Sequence, residues 1–293
     1  MERNNHQCYT QNKTMILFPE FYRRYGPWAI VAGASEGLGQ AYAHVLAERG
    51  LNLVTLGRRA EPLEQDAELI RRRYRVEVRP VALDLGAADL AEKFDAAIAG
   101  LDVGLLVYNA ALWIIAEFID TPLADHQRMV DVNCRGLVTL AHRIAPQLKQ
   151  RGRGGIVLMS SLSGFQGSAL LATYAATKAF DSVLAESLWF ELAPHGVDVL
   201  GCTAGAMSTP GFYQVTPPHK QAQAMPMRPE AVAREALATL AASGKKPTHF
   251  AGWVPRLANV IAGLMTRRQR TLFFSKMNRE IYGANQNRDT RKS

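Results

Sequence analysis

The chain has 293 residues, of which 48% are apolar and 20% charged, a composition that excludes a disordered or fibrous protein. The net formal charge of +8 lies at the two ends of the chain, because the body from 27 to 266 has no net charge. A nucleic-acid-binding protein should instead carry its basic residues over a folded face, so that class is disfavoured.

Cysteine and histidine are sparse and scattered. The three cysteines, at positions 8, 134 and 202, fit neither a disulfide framework nor zinc-ligand spacing, so we expect a reducing compartment and no metal. The longest near-apolar stretch, 103–116, is too short to cross a bilayer, and the apolar run 15–18 is too short for a signal-peptide core. We therefore expect a cytoplasmic protein.

Short apolar runs alternate along the chain with longer segments of helical spacing. The runs are continuous, which predicts buried parallel strands at 28–33, 51–57, 76–83, 103–109, 156–161 and 197–203. The segments that follow them predict helices at 38–49, 61–73, 88–99, 124–150, 173–193 and 230–242. This alternation predicts the α/β class, with a doubly wound parallel sheet that carries helices on both faces in a single domain.

The predicted sheet and its helices occupy residues 27–265. Residues 1–26 are predicted to form an N-terminal arm, and residues 266–293 a basic C-terminal extension. Within the domain, 204–229 is predicted to be an irregular loop with five prolines, of the kind that closes over a reactive centre as a lid.

A glycine-rich turn follows the first strand. Gly33, Gly37 and Gly39, with Ser35 and Leu38 between them, stand directly before the first long predicted helix. Glycines at this place let the backbone approach a pyrophosphate, which the positive end of the helix stabilises. The spacing differs from the GxGxxG of most dinucleotide folds, and taken alone it also fits a plain tight turn.

The same turn also fits the nucleophile elbow of the α/β-hydrolases. Residues 33–37 spell GxSxG with Ser35 at the nucleophile position, and His195 or His249 could supply the later histidine. That elbow normally follows several strands, whereas this turn follows the first one. Dinucleotide binding is therefore preferred, and the hydrolase remains an alternative.

Two arginines, Arg58 and Arg59, end the second predicted strand. In a dinucleotide fold this position faces the adenosine ribose, where an acid would bind a free 2′-hydroxyl and a basic residue accommodates a 2′-phosphate. The arginines therefore predict NADP(H), unless they are merely a solvated pair at a strand end.

Tyr174 and Lys178 stand four residues apart on a predicted helix and so share one face. A phenol beside an ammonium group can exchange a proton with a carbonyl or alcohol oxygen near neutral pH. Ser161, at the carboxyl end of the fifth strand, could hydrogen-bond the same oxygen. Each of these features alone is more often structural, and it is their order along the chain that is informative.

Together the motifs resemble the short-chain dehydrogenase/reductase family over residues 27–209: Gly33-xxx-Gly37-x-Gly39, Asn109-Ala110, Asn133, Ser161 and Tyr174-xxx-Lys178. Segments 25–29, 40–43 and 47–52 are similar to the branch that contains 3-oxoacyl-CoA reductases and 17β-hydroxysteroid dehydrogenases. The resemblance implies a Rossmann-like fold and an NADP(H)-dependent enzyme that transfers hydride between the nicotinamide and a carbonyl or secondary alcohol.

The resemblance also implies a role for each matching residue. Tyr174 would be the general acid/base, and Lys178 would lower its pKa and bind the nicotinamide ribose. Ser161 would hold the substrate oxygen, and Asn133 would anchor a water relay that reaches Lys178. The implied cofactor set, with Asp84 at the adenine and Thr209 at the carboxamide, is Gly33, Ser35, Gly37, Leu38, Gly39, Arg58, Arg59, Asp84, Leu85, Asn109, Ala110, Tyr174, Lys178, Gly205, Met207 and Thr209.

A few positions depart from the family pattern. Ala32 replaces a threonine, Ala204 replaces a proline, and Glu36 stands where many NADP-preferring members carry a base. None of them touches the reacting groups, so activity is still expected. The argument for NADP(H) then depends mainly on Arg58 and Arg59.

Aromatic residues and methionines follow the fourth, fifth and sixth strands. Trp113, Phe165, Phe212 and Tyr213 are predicted to face the substrate, and such side chains suit a bulky lipophilic ketone, either steroid-like or a 3-oxoacyl chain. The alternative from another class is a non-catalytic dinucleotide-binding regulator, which would need no proton donor.

The helix that carries Tyr174 is apolar over a wider arc than one sheet face requires. We expect a homodimer or homotetramer to cover the surplus, unless the C-terminal extension does so. Just before that extension, 257–265 has helical apolar spacing, and the extension itself begins with a basic run, 267–270. The segment either packs on the domain with a solvated basic end, or contacts an anionic membrane or an acidic substrate handle such as CoA phosphates.

Overall fold

The computed structural model describes residues 18–242 and 246–289, with side chains described as far as Tyr282. Seven parallel strands form one sheet in the order β3-β2-β1-β4-β5-β6-β7. In chain order they are β1 (Trp28–Ala32), β2 (Asn52–Gly57), β3 (Val78–Ala82), β4 (Val103–Tyr108), β5 (Gly154–Ser161), β6 (Val197–Ala204) and β7 (Thr248–Phe250). The predicted fold class is confirmed.

Helices flank both faces of the sheet. They are α1 (Pro19–Tyr25), α2 (Gly37–Glu48), α3 (Ala60–Tyr74), α4 (Leu90–Ile98), α5 (Leu123–Val130), α6 (Gly136–Arg151), α7 (Ala172–Leu192), α8 (Pro210–Val215), α9 (Pro218–Gln221), α10 (Pro229–Ala241), α11 (Trp253–Gly263) and α12 (Arg267–Asp289).

The strands are apolar throughout because each face of the sheet has its own core. In β1, Ala29 and Val31 pack with α2, α3 and α10, whereas Trp28 and Ile30 pack on the other face with α4, α6 and α7. A strand buried on both faces loses the alternation of polar and apolar residues that a half-exposed strand shows. This is why the continuous runs identified the strands.

Helix α1 lies within the predicted N-terminal arm but packs on the sheet. Tyr25 is fully buried, and its hydroxyl donates a hydrogen bond to Asp198 Oδ2 at 2.6 Å. Arg24 donates two further hydrogen bonds to the same carboxylate. Residues 1–17 lie outside the described residues, and the domain boundaries at 26 and 265 stay predictions.

The predicted helix 124–150 is divided by a π-helical turn, Asp131–Arg135, between α5 and α6. Such turns are frequent at functional sites because they redirect one side chain without ending the helix. Here the turn contains Asn133, whose fully buried carboxamide bonds outside the helix. The helical periodicity does not show this interruption.

Two further elements differ from the sequence prediction. Segment 204–229 contains α8 and α9, and a parallel bridge joins Met207 to Met227 across it, so it is more ordered than the predicted loop. Strand β7 is not predicted because it has only three residues and no apolar run. It pairs with β6 from Gly201 to Thr203.

The C-terminal segment continues from β7 into α11 and α12. Within 18–242 and 246–289, no helix is both long and apolar enough to cross a membrane. The membrane contact predicted for the basic end stays a prediction.

Candidate active site

A cleft of about 570 Å³ opens at the carboxyl edge of the sheet, where the segments after β1, β2, β3, β4 and β6 meet. Most of the predicted cofactor set lines it, with two of the predicted catalytic residues and one predicted substrate residue: Gly33, Ser35, Gly37, Leu38, Arg58, Arg59, Asp84, Leu85, Asn109, Ala110, Trp113, Tyr174, Lys178, Met207 and Thr209. The predicted residues that do not line it are Gly39, Asn133, Ser161, Phe165, Gly205, Phe212 and Tyr213.

The glycine-rich turn forms a backbone cradle that no larger residue could form. Gly33 has φ +81°, and a Cβ there would lie 2.6 Å from the Cα of Ala110. A Cβ on Gly39 would lie 1.9 Å from the carbonyl oxygen of Gly33, so Gly39 packs the start of α2 against the turn instead of lining the cleft. Asn109 Nδ2 donates to that same carbonyl at 3.2 Å. A pyrophosphate fits this cradle at the amino end of α2.

The two arginines at the end of β2 differ in their partners. Arg59 donates to Glu36 Oε2 at 2.6 Å, so part of its charge is already compensated at this exposed site. Arg58 lines the same cleft and forms no ion pair with any acid in the described part of the chain. Arg58 is therefore the better placed of the two to bind an additional phosphate.

Asp84, predicted at the adenine, is held by a neighbouring arginine. Arg128 Nη2 reaches both carboxylate oxygens of Asp84 at 2.5 Å, and the Gly86 N–H donates to Oδ1 at 3.0 Å. Partial burial opposes ionisation, but these hydrogen bonds hold the pKa of Asp84 below its usual value. The carboxylate thus faces the cleft in a fixed orientation.

Lys178 lies beneath Tyr174 and is buried. Its Nζ is 5.9 Å from the centroid of the Tyr174 ring and donates to the carbonyl oxygen of Met159 and to Asp181 Oδ2, each at 2.8 Å. Burial opposes the charge, but the Asp181 carboxylate raises the pKa of Lys178 above its usual value. The lysine is therefore a fixed cation with one of its three N–H donors left for the cleft.

The neighbouring serines at the end of β5 have different partners. Ser160 lines the cleft, and its hydroxyl donates to the carbonyl oxygen of Lys178 at 2.7 Å. Ser161, the predicted catalytic serine, accepts a hydrogen bond at Oγ from the Ser163 N–H at 3.2 Å. The Ser161 hydroxyl keeps its own proton available as a donor in this arrangement.

Asn133 connects the π-helical turn to two other parts of the site. Its Oδ1 accepts from the Leu112 N–H at 2.7 Å, and its Nδ2 donates to the Leu112 carbonyl and to Thr177 Oγ1, each at 2.9 Å. Both amide hydrogens are therefore used inside the protein. Asn133 fixes the segment after β4 relative to α7, next to Lys178.

The predicted substrate residues do not form one group. Trp113 lines the cleft, and its ring lies so close to Gly211 of α8 that a Cβ there would be 2.8 Å away. Phe165 instead packs against Phe250 of β7, with 5.2 Å between ring centroids. Two others, Phe212 and Tyr213, contact each other on α8. Gly205 lies against Pro255 of α11.

The hydrolase alternative is wrong on geometry. Ser35 follows β1 at the carboxyl edge of the sheet, whereas His195 precedes β6 at the amino edge. The other candidate, His249, lies within β7, which is four strand positions away from β1 in the sheet. Neither histidine can serve Ser35 as a base.

Several residues of the site carry no motif. Met159 contributes its backbone carbonyl and Leu112 both of its backbone groups, so residue identity gives no signal there. Asp181, three residues after Lys178, could have been found as an acid on the inner face of a helix. Over the described ranges, no group of three or more His, Cys, Asp or Glu residues could hold a metal ion.

Comparison with known proteins agrees with this geometry. The chain matches the short chain dehydrogenase family model over residues 27–219. It is 36% identical to a 7beta-hydroxysteroid dehydrogenase of Clostridium sardiniense over 236 residues, which are 80% of this chain and 89% of that protein. It is 39% identical to a very-long-chain 3-oxoacyl-CoA reductase of Podospora anserina over 183 residues, 61% of this chain and 54% of that protein.

Solved structures agree as well. One, from work on the stereoselectivity of 7beta-hydroxysteroid dehydrogenase, superposes with a TM-score of 0.80 at 30% identity and covers 87% of this chain and 98% of its own. A short-chain dehydrogenase from Sphingobium yanoikuyae in complex with NADPH gives a TM-score of 0.69 at 26% identity, over 82% of this chain and 95% of its own.

The chain therefore belongs to the short-chain dehydrogenase/reductase family, and the resemblance seen in its motifs is confirmed. Within that family it is an NAD(P)-dependent oxidoreductase whose relatives include hydroxysteroid dehydrogenases and 3-oxoacyl-CoA reductases.

The buried pair beneath Tyr174 predicts a stability effect. Asp181→Ala should lower the free energy of unfolding by roughly 3–5 kcal/mol, because it leaves the Lys178 ammonium buried without a counter-ion. Asp181→Leu combined with Lys178→Met should cost less, since no buried charge remains. Urea unfolding at pH 7 measures both, with the exposed Lys276→Ala as control. A double variant less stable than Asp181→Ala would contradict the ion-pair interpretation.

Proposed function

We propose that this protein is an NADP(H)-dependent oxidoreductase of a lipophilic substrate, and that it interconverts a ketone and a secondary alcohol on a steroid-like or 3-oxoacyl molecule. The observation that carries the proposal is the meeting of Tyr174 and Lys178 with the glycine-rich turn and Arg58 in one cleft. A non-catalytic dinucleotide-binding regulator would need the turn but neither the phenol nor the ammonium, so this alternative has less support.

Different side chains in and beside the cleft have separate roles in the reaction. A bound nicotinamide cofactor supplies or accepts the hydride, and the protein supplies orientation and the proton. Tyr174 gives its phenolic proton to the carbonyl oxygen during reduction and removes it from the alcohol during oxidation. Ser161, which follows the cleft-lining Ser160 and does not itself line the cleft, would donate a hydrogen bond to the same oxygen. Lys178, with two N–H groups held by the protein, keeps a third that could donate to the ribose of a bound cofactor.

The preference for NADP(H) over NAD(H) depends on Arg58. Arg58 lines the cleft and forms no ion pair in the described structure, although the Asp84 carboxylate lies within electrostatic range, and charge-assisted hydrogen bonds to a phosphate are about twice as strong as neutral ones. No acid at the end of β2 is available to bind a free 2′-hydroxyl, since residues 56–59 contain none.

The lipophilic substrate is supported by the relatives and by the cleft itself. Relatives are named for 7beta-hydroxysteroids and for very-long-chain 3-oxoacyl-CoA, whose ring system and acyl chain are apolar. In this chain Trp113 and Met207 line the same cleft as Tyr174. The cytoplasmic location stays a prediction from the sequence.

The proton donor can be tested by removing one oxygen atom. In Tyr174→Phe, the turnover of a ketone with NADPH should fall by at least about 10²–10⁴-fold, because general acid catalysis is lost. The dissociation constant for NADPH, measured by fluorescence, should stay close to that of the wild type. Tyr74→Phe, at the end of α3, is the control. Near-normal turnover in Tyr174→Phe would overturn the assignment.

The cofactor proposal predicts unequal effects of the two arginines. Arg58→Ala should lower kcat/KM for NADPH roughly tenfold to a hundredfold, the effect of losing one or more charge-assisted hydrogen bonds, and leave NADH unchanged. Arg59→Ala should have a smaller effect, because Glu36 already pairs with it. Gly57→Asp combined with Arg58→Ala should shift the preference toward NADH, and a Cβ at 57 meets only ordinary contacts. An unchanged NADPH/NADH ratio would show that the arginines are surface charge.

The outer face of α7 supports an oligomer. Leu184 and Leu188 pack on the sheet, whereas Phe180, Val183 and Phe190 are exposed. The described part of α12 leaves these three side chains exposed, and its hydrogen bonds and ion pairs go to other segments. We expect light scattering at micromolar concentration to give the mass of a dimer or tetramer. A monomeric mass would rule the oligomer out.

A further inference from the structure

Helix α12 is attached by its inner face to the loop that follows β5. The Ala169 N–H donates to Ser275 Oγ at 3.0 Å. Asn278, which is buried, donates through Nδ2 to Ser168 Oγ at 3.1 Å and to the Ala169 carbonyl at 3.2 Å. The basic extension is thus held by polar contacts of defined geometry.

The same helix also reaches the segments that follow β4 and β6. Arg279 pairs with Glu117 at 3.2 Å, and Lys220 in α9 pairs with Glu280 at 3.3 Å. The α12 member of each pair is exposed, so the pairs add little stability, but they show where α12 runs. It crosses all three segments that were predicted to surround the substrate.

Tyr282 follows Asn278 by one helical turn and so extends the same inner face toward the reaction centre. Its phenol lies beside Thr216, a buried residue whose Oγ1 has no partner in good hydrogen-bonding geometry within the described structure. Burial raises the pKa of Tyr282, the neighbouring Thr216 hydroxyl lowers it, and the nearby Tyr174 phenol raises it further. Tyr282 therefore lies on the face of α12 that is turned toward the segments after β5 and β6, close enough to Tyr174 for the two phenols to interact electrostatically.

We propose that Tyr282 is a substrate-specificity residue, and that α12 closes the site by placing the Tyr282 ring against the body of a bulky ketone held at Tyr174. This inference rests on the proposed function and adds the wall of the substrate site that the motifs do not supply. The ring provides apolar contact, and its hydroxyl and that of Thr216 can bond an oxygen of the substrate remote from the reacting carbonyl. A small ketone reaches Tyr174 without touching this wall.

The test compares large and small ketones in Tyr282 variants of the full chain. The large probe is a steroid ketone or a long-chain 3-oxoacyl thioester, whichever the wild type reduces faster, and the small probe is cyclohexanone. Tyr282→Ala should raise KM for the large probe roughly tenfold, which corresponds to about 1.4 kcal/mol, with kcat and the KM for cyclohexanone little changed. Tyr282→Phe keeps the ring and should raise KM for the large probe less than Tyr282→Ala does.

Binding provides a readout that is independent of turnover. Equilibrium dialysis of the large probe against protein loaded with NADP⁺ should show the same weakening in Tyr282→Ala. The matched control is Phe273→Ala, because Phe273 is an aromatic residue of the same helix that points outward. A thermal melt verifies that each variant is folded, and Tyr282→Phe remains informative if the alanine variant is not.

The outcomes separate this inference from the proposed function. If the wild type reduces the large ketone but Tyr282→Ala and Phe273→Ala behave alike in KM and in binding, the specificity role of Tyr282 is overturned and the proposed function stands. If no carbonyl probe is reduced with NADPH, the proposed function is overturned. In that case, weaker binding of the large probe by Tyr282→Ala than by the wild type would still support the inference that α12 forms one wall of the substrate site.

Discussion

In a sheet whose seven strands all run in one direction, every strand ends at the same edge, and the chemistry of this protein lies at that edge. The glycine-rich turn, Arg58, Asp84 and Asn109 are far apart in sequence and meet only because β1 to β4 are parallel neighbours. The two apolar cores hold the strands in this register, since a shift by one residue would exchange the residues that face each core.

Close packing at that edge leaves almost no freedom for the cofactor cleft. Gly33 touches the backbone at Ala110, and Gly39 touches the carbonyl of Gly33, so the turn and the end of β4 form one rigid unit. Asn133 then joins the next segment to α7 through Leu112 and Thr177. These contacts fix the position of Tyr174 and Lys178 before any ligand binds, which is the preorganisation that catalysis requires.

Charge is used sparingly inside this rigid unit. Lys178 and Asp181 are almost fully buried and lie 2.8 Å apart, an arrangement that adds less stability than its proximity suggests because both groups lose their hydration. The pair instead holds a cation at one place beneath the Tyr174 ring. At the opposite end of the site, the contacts of α12 are hydrogen bonds and exposed ion pairs, so that wall can adapt more readily than the cofactor cradle can.

Local sequence was sufficient for β1 to β6, for α2, α3, α4, α7 and α10, whose ends lie within two residues of their predicted positions, and for most of the predicted cofactor residues, which line the cleft. These features leave a local signal, because burial on both faces requires continuous apolar runs and close backbone approach requires glycine. The π-helical turn at Asn133, the three-residue β7, the packing of Phe165 on Phe250 and the position of Tyr282 beside Thr216 leave none. Each of these features depends on a partner group that a segment distant along the chain supplies. Periodicity and motif spacing report only on neighbouring residues, so they carry no information about such partners.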